Sequence, residues 1–450
     1  MQKADGFWAG PDTGRLPLDT GSPRAYAPKM TDRRNFLKAV SAAPLVSRAA
    51  RAQAQAAAPA AIPELPRPGD PAYWDKVRDQ FLLARDKVFF NNGTIGAMPR
   101  VVLERTVEHL RKMAVDVAEW DYRGENWIGG YDSMLGVRTK TARLLNADVN
   151  EIALTENVTC ANSYIAAGLD LPTGVEILMS DQEHPGGYGP WQNAAKRHSG
   201  TVVQMKLPKP AHSPGEILEI VRGSFTPRTR VLFLSQVITG SGAILPVKEI
   251  CAAAHERGIL TVIDGAQAFG HVPVDVRDMG CDAYVSCFHK WMLAPAGCGV
   301  LYLRGDRADS VWATLCSANW DNHKDNGLRF TQRGTGSMSL LVGLDAALDF
   351  HNGIGSTRVH ERVKYLGDYL RAGLRKLPNV KIWSPDDPAM CAGITVYSVN
   401  GVNGPRLQDE MWNRERLRPR SSGPGVRHCT HIFNSTAEID RALSVCRQLG

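Results

Sequence analysis

Between residues 85 and 305, short runs of β-branched and apolar residues alternate with helical patterns, and this alternation limits the possible folds most strongly. Strands that alternate with helices form βαβ units, in which helices cover a mainly parallel sheet. The predicted strands are residues 151–155, 176–180, 201–205, 230–235, 260–264, 282–287 and 298–303. The sequence therefore predicts an α/β fold built on a mainly parallel seven-stranded sheet.

One of these runs ends in an acidic residue. Residues 260–264 read LTVID, and the run follows a helical pattern over 247–257 that Gly258 would end. In open α/β sheets, ligands bind beyond the carboxyl ends of the strands. Asp264 is therefore expected at the edge where chemistry takes place.

The C-terminal part has a different pattern. Residues 340–350 and 358–377 predict long helices, 393–397 predict a strand, and a last helix is expected from Thr436. We therefore predict a large domain over 73–335, whose first residues pack with the small domain, and a small α+β domain over 336–450.

The N-terminal residues are typical of an export signal. Two arginines at 33–34 precede Phe36-Leu37-Lys38, an apolar stretch of about ten residues and an Ala-Arg-Ala cleavage pattern at 50–52. This order resembles the twin-arginine motif. We expect an extension and signal peptide over 1–52, a flexible linker over 53–72, passage through the twin-arginine translocon and a periplasmic location. Two alternatives remain open. Translation could start at Met30 rather than Met1, and the basic residues could form a solvated arm instead of a signal.

Charge and cysteine usage exclude several classes of partner. The net charge is +7, but basic residues crowd the segment expected to be removed, so no nucleic-acid partner is expected. The apolar stretch is shorter than the ~20 residues of a membrane span, so no membrane anchor is expected. The 9 cysteines form no CxxC pair, and His428 and His431 would point to opposite faces of an extended segment, so we expect no metal site.

The residues most informative about chemistry follow two successive predicted strands, as Asp264-Gly-Ala-Gln267-Ala and Ser286-Cys-Phe-His289-Lys290-Trp291. Pyridoxal 5′-phosphate (PLP) needs a lysine for a Schiff base, a carboxylate for its pyridine nitrogen, and donors for its phenolic oxygen and phosphate. Taken singly, Asp264 is more simply interpreted as a turn residue, and Lys290 is more simply interpreted as a surface lysine. Together, and with aromatic residues beside Lys290, they predict a PLP site.

The combination DGAQA, HKW and APAGCG (residues 294–299) resembles the class V aminotransferases of PLP fold type I, and within them the isopenicillin N epimerase-like branch. The resemblance runs from Tyr73 to the C-terminus. It implies a sheet-based large domain, a small domain made of N- and C-terminal parts, and a homodimer with cofactor sites at the subunit interface.

The resemblance also implies roles for residues around the cofactor. Lys290, Asp264 and His184 would be catalytic: Lys290 as the Schiff base and general base, Asp264 on the pyridine nitrogen, and His184 stacked on the ring. Gln267 would contact the phenolic oxygen. The phosphate would be bound by Val158, Thr159, Ser286 and His289, and by Thr335 across the subunit interface.

Two positions would bind the substrate. Arg427 matches the arginine that holds an α-carboxylate, and Asn92 lies in the entry segment FNNGTIG (residues 90–96). Gln236 stands where many relatives have histidine. Cysteine desulfurases carry a nucleophilic cysteine shortly before the arginine, but residues 414–426 contain none and Cys391 lies too far upstream.

We therefore expect an exported PLP enzyme that acts on the amino group or Cα of an amino-acid or peptide-like substrate, as an aminotransferase or epimerase in secondary-metabolite tailoring. A C–S or other β-lyase is the alternative. A cysteine desulfurase or a non-catalytic binding protein is less favoured.

Overall fold

The computed structural model describes residues 72–119 and 134–449. The predicted signal peptide and nearly all of the predicted linker lie outside these residues, so those interpretations stay predictions.

The strands and helices follow the expected alternation. The strands are β1 (Val88–Phe89), β2 (Ile152–Thr155), β3 (Glu176–Ser180), β4 (Thr201–Met205), β5 (Thr229–Ser235), β6 (Leu260–Asp264), β7 (Ala283–Cys287), β8 (Gly299–Leu303), β9 (Val380–Ile382), β10 (Ile394–Val399), β11 (Leu417–Arg418), β12 (Arg420–Ser422) and β13 (Gly425–Cys429). The α-helices are α1 (Tyr73–Arg78), α2 (Arg100–Val115), α3 (Met134–Leu145), α4 (Val158–Gly168), α5 (Pro185–Arg197), α6 (Pro214–Ser224), α7 (Val247–His255), α8 (Val276–Met279), α9 (Asn326–Thr331), α10 (Met338–Ile354), α11 (Ser356–Leu374), α12 (Gly404–Glu415) and α13 (Thr436–Gln448).

The predicted seven-stranded sheet is confirmed, with strand order β2-β8-β7-β6-β5-β3-β4. The five strands from β7 to β4 are parallel, while β8 is antiparallel to both of its neighbours. Strands β3, β7 and β8 are buried at every residue, because helices and loops cover both faces of the sheet. Alternate residues enter separate hydrophobic clusters: Leu178 and Ile263 belong to one, Ile177 and Val262 to the other.

The C-terminal residues form a second, antiparallel sheet of order β12-β13-β10-β9. Helices α11 and α13 cover it through a cluster that includes Leu370 and Ile439. Helix α11 ends before the predicted residue 377, because Pro378 disfavours helical backbone in the residues before it. Val88 of β1 pairs with Leu417 of β11. The domain boundary at 335/336 stays a prediction.

The described helices include none that is long and apolar enough to cross a membrane. Within residues 72–119 and 134–449, no group of three His, Cys, Asp or Glu side chains is placed to hold a metal ion. His428 stacks on Tyr397, and His431 stacks on Trp291.

Candidate active site

Chemically active side chains meet at one edge of the large sheet. The parallel strands β3, β5, β6 and β7 all end there, so the residues that follow them lie side by side. Ser235, the last residue of β5, pairs in register with Asp264, the last residue of β6. These segments contribute His184, Thr239, Asp264 and Lys290.

Lys290 lies in the turn after β7, where the N-terminal segment fixes its backbone. Nδ2 of Asn92 donates a hydrogen bond to the Lys290 carbonyl oxygen (3.2 Å), and the Gly96 N–H donates to the His289 carbonyl oxygen (2.7 Å). A Cβ on Gly96 would lie 2.1 Å from the Lys290 carbonyl oxygen, so only glycine allows this approach. Asn92 is fully buried and positions the lysine. Its contact with substrate stays a prediction.

Asp264 is 4% exposed and presents one oxygen to the site. Oδ1 accepts a hydrogen bond from the Ala266 N–H (2.8 Å), whereas no described residue donates to Oδ2, which lies 3.4 Å from the position of a Cβ built on Gly187. Burial raises the pKa of Asp264 to about 6, against the opposing effects of the Ala266 N–H and the Lys290 charge. At pH 7 the carboxylate is mostly ionised and can keep a proton on a ring nitrogen.

A second carboxylate at this edge, that of Glu183, was not predicted from the sequence. It accepts hydrogen bonds from Oγ of Ser180 (2.5 Å), and from N (3.1 Å) and Oγ (2.5 Å) of Ser235. Burial raises the pKa of Glu183 to about 7 against these hydrogen bonds, and the Asp264 charge adds to the rise. The position after β3 was visible in the sequence, but the pairing of β3 with β5 was not.

Two helix N-termini face the same edge. His184 is the N-cap of α5, and its Nδ1 accepts a hydrogen bond from the Gly186 N–H (3.1 Å). In the neutral ring the proton therefore lies on Nε2. Partial burial, and then the charges of Lys290 and Arg427, lower the pKa of His184. A Cβ on Gly186 would lie 2.6 Å from Oγ1 of Thr159 in the first turn of α4, so the structure brings Thr159 and His184 together.

Gln267 has a fixed amide orientation. Its Oε1 accepts from Nε1 of Trp291 (2.9 Å), and its Nε2 donates to the Gly93 carbonyl oxygen (2.8 Å) and to Oγ1 of Thr239 (3.3 Å). An indole N–H can only donate and a carbonyl can only accept, so the two ends of the amide cannot be exchanged. Both Nε2 protons therefore donate hydrogen bonds to acceptors within the protein. The contact of Gln267 with a phenolic oxygen stays a prediction.

Arg427 of β13 reaches the same place from the C-terminal sheet. It is 8% exposed. Its Nη1 donates to Oγ1 of Thr239 (2.5 Å), and its Nη2 donates to Oδ1 of Asn91 (3.1 Å) and Oγ1 of Thr94 (2.8 Å). Nε has no partner, and no carboxylate of the described residues forms an ion pair with this guanidinium. Its charge is therefore available to an anionic ligand.

The residues predicted to bind phosphate differ in their surroundings. Ser286 is fully buried, and its Oγ donates to the Gly265 carbonyl oxygen (2.8 Å). His289 has a buried Nδ1 without a partner among the described residues, and burial, followed by the Lys290 charge, lowers the pKa of His289 to about 4. Thr335 is exposed after α9. The phosphate contacts of Ser286 and Thr335 stay predictions.

The donor set fits PLP. Lys290 supplies the amine, and Oδ2 of Asp264 is open to a pyridine nitrogen. The unpartnered Nδ1 of His289 suits a phosphate oxygen. The backbone N–H groups of Val158 and Thr159 lie in the first turn of α4, where helical N–H groups have no intrahelical acceptor and attract anions.

Comparison with known proteins identifies a matching family and several relatives. The family model described as aminotransferase class-V matches residues 88–447. Isopenicillin N epimerase of Amycolatopsis lactamdurans is 31% identical over 400 residues, which cover 84% of this chain and 98% of that protein. A probable cysteine desulfurase of Halalkalibacterium halodurans is 28% identical over 347 residues, which cover 73% of this chain and 81% of that protein.

Solved structures share the fold. A lysine-to-alanine mutant of C-DES, with glycine covalently linked to the PLP cofactor, superposes with a TM-score of 0.74 at 26% identity and covers 83% of this chain and 99% of that chain. The cystine C–S lyase C-DES in complex with its reaction product cysteine persulfide gives a TM-score of 0.72 at 26% identity, over 81% of this chain and 98% of that chain.

Proposed function

Since the chain belongs to the class V aminotransferase family, which uses PLP, we propose that it acts on the amino group or Cα of an amino-acid or peptide-like substrate, as an aminotransferase or epimerase in secondary-metabolite tailoring. The observation that carries the proposal is Arg427, a buried guanidinium without a carboxylate partner among the described residues. Through Thr239 it is joined to Gln267 at the edge that bears Asp264 and Lys290. Besides burial, the charges of both Lys290 and Arg427 lower the pKa of His184, so an α-carboxylate on Arg427 would hold the substrate in the neighbourhood of the lysine.

Each side chain has a separate role in the proposed reaction. PLP supplies an electron sink for the bond that breaks at Cα. Nζ of Lys290 removes a proton from Cα and returns it, and Oδ2 of Asp264 keeps the ring nitrogen protonated. The His184 ring would pack on the bound cofactor, and the guanidinium of Arg427 would orient the substrate through its carboxylate.

The alternative is a C–S or other β-lyase, which the likeness to the lyase C-DES supports. Cysteine desulfuration is less favoured. Cys391 is buried, its Sγ donates to the Pro385 carbonyl oxygen (3.2 Å), and burial raises the pKa of the Cys391 thiol, so it is not a nucleophile presented to substrate.

We further propose that the protein is exported to the periplasm by the twin-arginine translocon and acts as a homodimer. The arginine pair at 33–34 supports export. Replacing both arginines with lysine should retain the protein in the cytoplasm, and export of the double variant at the normal rate would contradict the assignment. Sedimentation equilibrium of the purified holoenzyme should give twice the chain mass.

The proposed binding of PLP through Lys290 is tested with Lys290→Ala. The purified wild-type protein should show a visible absorption band that this variant lacks, whereas Lys324→Ala, at an exposed lysine, should keep it. A colourless wild-type protein that cannot take up PLP would refute the proposal.

The reaction is tested by incubating the holoenzyme with a panel of amino acids. Conversion of the cofactor to its amine form indicates transamination. Solvent deuterium at Cα together with inverted configuration indicates epimerisation, and a released keto acid with loss of the β-substituent indicates the lyase. Turnover of any kind excludes a non-catalytic binding protein.

A further inference from the structure

Lys209 is a further basic residue at the same edge of the large sheet. It follows β4, the neighbour of β3. The turn before His184 holds this segment: Nε2 of Gln182 donates to the Leu207 carbonyl oxygen (2.9 Å), and the Leu207 N–H donates to Oδ1 of Asp181 (3.2 Å). The Lys209 backbone is therefore anchored to the segment that carries a candidate catalytic side chain.

The ammonium group of Lys209 points toward the loop that contacts Arg427. A Cβ built on Gly240 would lie 3.5 Å from Nζ of Lys209. Gly240 directly follows Thr239, whose Oγ1 accepts the hydrogen bond from Nη1 of Arg427 (2.5 Å). The two cations are thus placed at neighbouring residues of one loop.

Neither cation is neutralised by a carboxylate of residues 72–119 or 134–449. No carboxylate of the described residues forms an ion pair with Lys209 or Arg427. Lys209 is half-buried, whereas Lys206 in the same segment is exposed. Burial lowers the pKa of Lys209, because desolvation disfavours the ammonium form. A partly desolvated, unpaired ammonium is unfavourable in the free protein, and an anionic ligand at this position would offset that cost.

We propose that Lys209 binds a second carboxylate of the substrate, so that the preferred substrates are amino acids, or peptide-like compounds, with an acidic group on the side chain. Arg427 holds the α-carboxylate and Lys209 holds the distal one. Both groups lie against the same pair of residues, because Nη1 of Arg427 contacts Thr239 and Nζ of Lys209 lies 3.5 Å from a Cβ built on Gly240. This inference rests on the proposed function, since it assumes an amino-acid substrate at Arg427.

The test compares L-glutamate with L-glutamine, which has the same shape without the distal charge. Each is titrated into the holoenzyme, and the change in the visible cofactor band gives its dissociation constant. Wild type should prefer glutamate. Lys209→Met should weaken glutamate binding about 10- to 100-fold, as expected for loss of a charged hydrogen bond, while glutamine affinity should change less than about twofold.

Two further variants complete the test. Lys206→Met removes the same charge from an exposed position and should leave both affinities unchanged, and Lys209→Arg should restore most of the preference for glutamate. Lys209→Arg also keeps the test decisive if Lys209→Met fails to fold. Equal binding of glutamate and glutamine by wild type, or equal losses for both in Lys209→Met, would overturn the proposal. A protein that takes up no PLP would instead refute the proposed function, and this inference with it.

Discussion

Asp264 should destabilise the cofactor-free protein at neutral pH, although we propose that it holds the cofactor's ring nitrogen. Its pKa rises from the usual 3.8 to about 6 on folding, which corresponds to about 3 kcal/mol at about 1.36 kcal/mol per pKa unit. Because the folded-state pKa is the higher one, the folded protein binds more protons between about pH 4 and pH 6. The free energy of unfolding therefore falls as pH rises through this window, and the whole penalty is present above it.

Asp264→Asn removes this charge at every pH. In the cofactor-free protein, the substitution should raise the free energy of unfolding by up to about 3 kcal/mol at pH 8, and by about half as much at pH 5. With saturating PLP, wild type should have a higher free energy of unfolding than Asp264→Asn. The wild-type carboxylate can pair with the ring nitrogen, and a ligand that binds the folded state more tightly stabilises it further.

Urea unfolding of both proteins at pH 5 and pH 8, with and without PLP, measures these differences. Asp386→Asn is the control, since Asp386 is 75% exposed and its replacement should change little at either pH. A variant that is less stable than wild type at pH 8 without cofactor, or whose gain does not depend on pH, would show that burial does not penalise the Asp264 charge.

Two other substitutions test how the site is positioned. Gly96→Ala should displace the Lys290 backbone, because the new Cβ would lie 2.1 Å from its carbonyl oxygen; the visible cofactor band should fall, while Gly136→Ala, with open space around its Cβ, should keep it. Normal PLP uptake by Gly96→Ala would contradict the requirement for glycine. Arg427→Lys should weaken the binding of amino acids about 10- to 100-fold, measured by spectral titration, but should affect amino-acid amides far less, because these lack the carboxylate. Arg420→Lys, in the strand beside it, is the control, and equal losses for acids and amides would exclude a carboxylate contact.

The large sheet could be predicted because its central strands carry short apolar runs and are buried on both faces. Residues 176–180 are buried throughout and contain such a run, whereas the edge strand β4 is partly exposed. Strands β1, β9, β11, β12 and β13 were not predicted from the sequence. Strands β9 and β12 are short and partly exposed, and main-chain pairing with β10 and β13 rather than a pattern of side chains defines them.

The site could be predicted only where a motif marked it. Asp264 and Lys290 follow strands and carry recognisable neighbours. Thr239 carried no such signal, because its importance arises from a hydrogen bond with Arg427, 188 residues away along the chain. Long-range contacts of this kind depend on the register of two separate sheets, which local sequence does not contain.

The segment from Asn91 to Gly96 shows how these distant parts are joined. In the structure, the glycines of this segment approach the protein's own functional groups. Gly96 contacts the lysine turn, the Gly93 carbonyl accepts from Gln267, and Asn91 accepts from Arg427. A Cβ on Gly93 would lie 3.0 Å from Oε1 of Gln267 and 3.4 Å from Cζ of Arg427. Since one short segment fixes the groups that we propose to bind the cofactor and the substrate carboxylate, a shift of its backbone should change cofactor uptake and substrate affinity together.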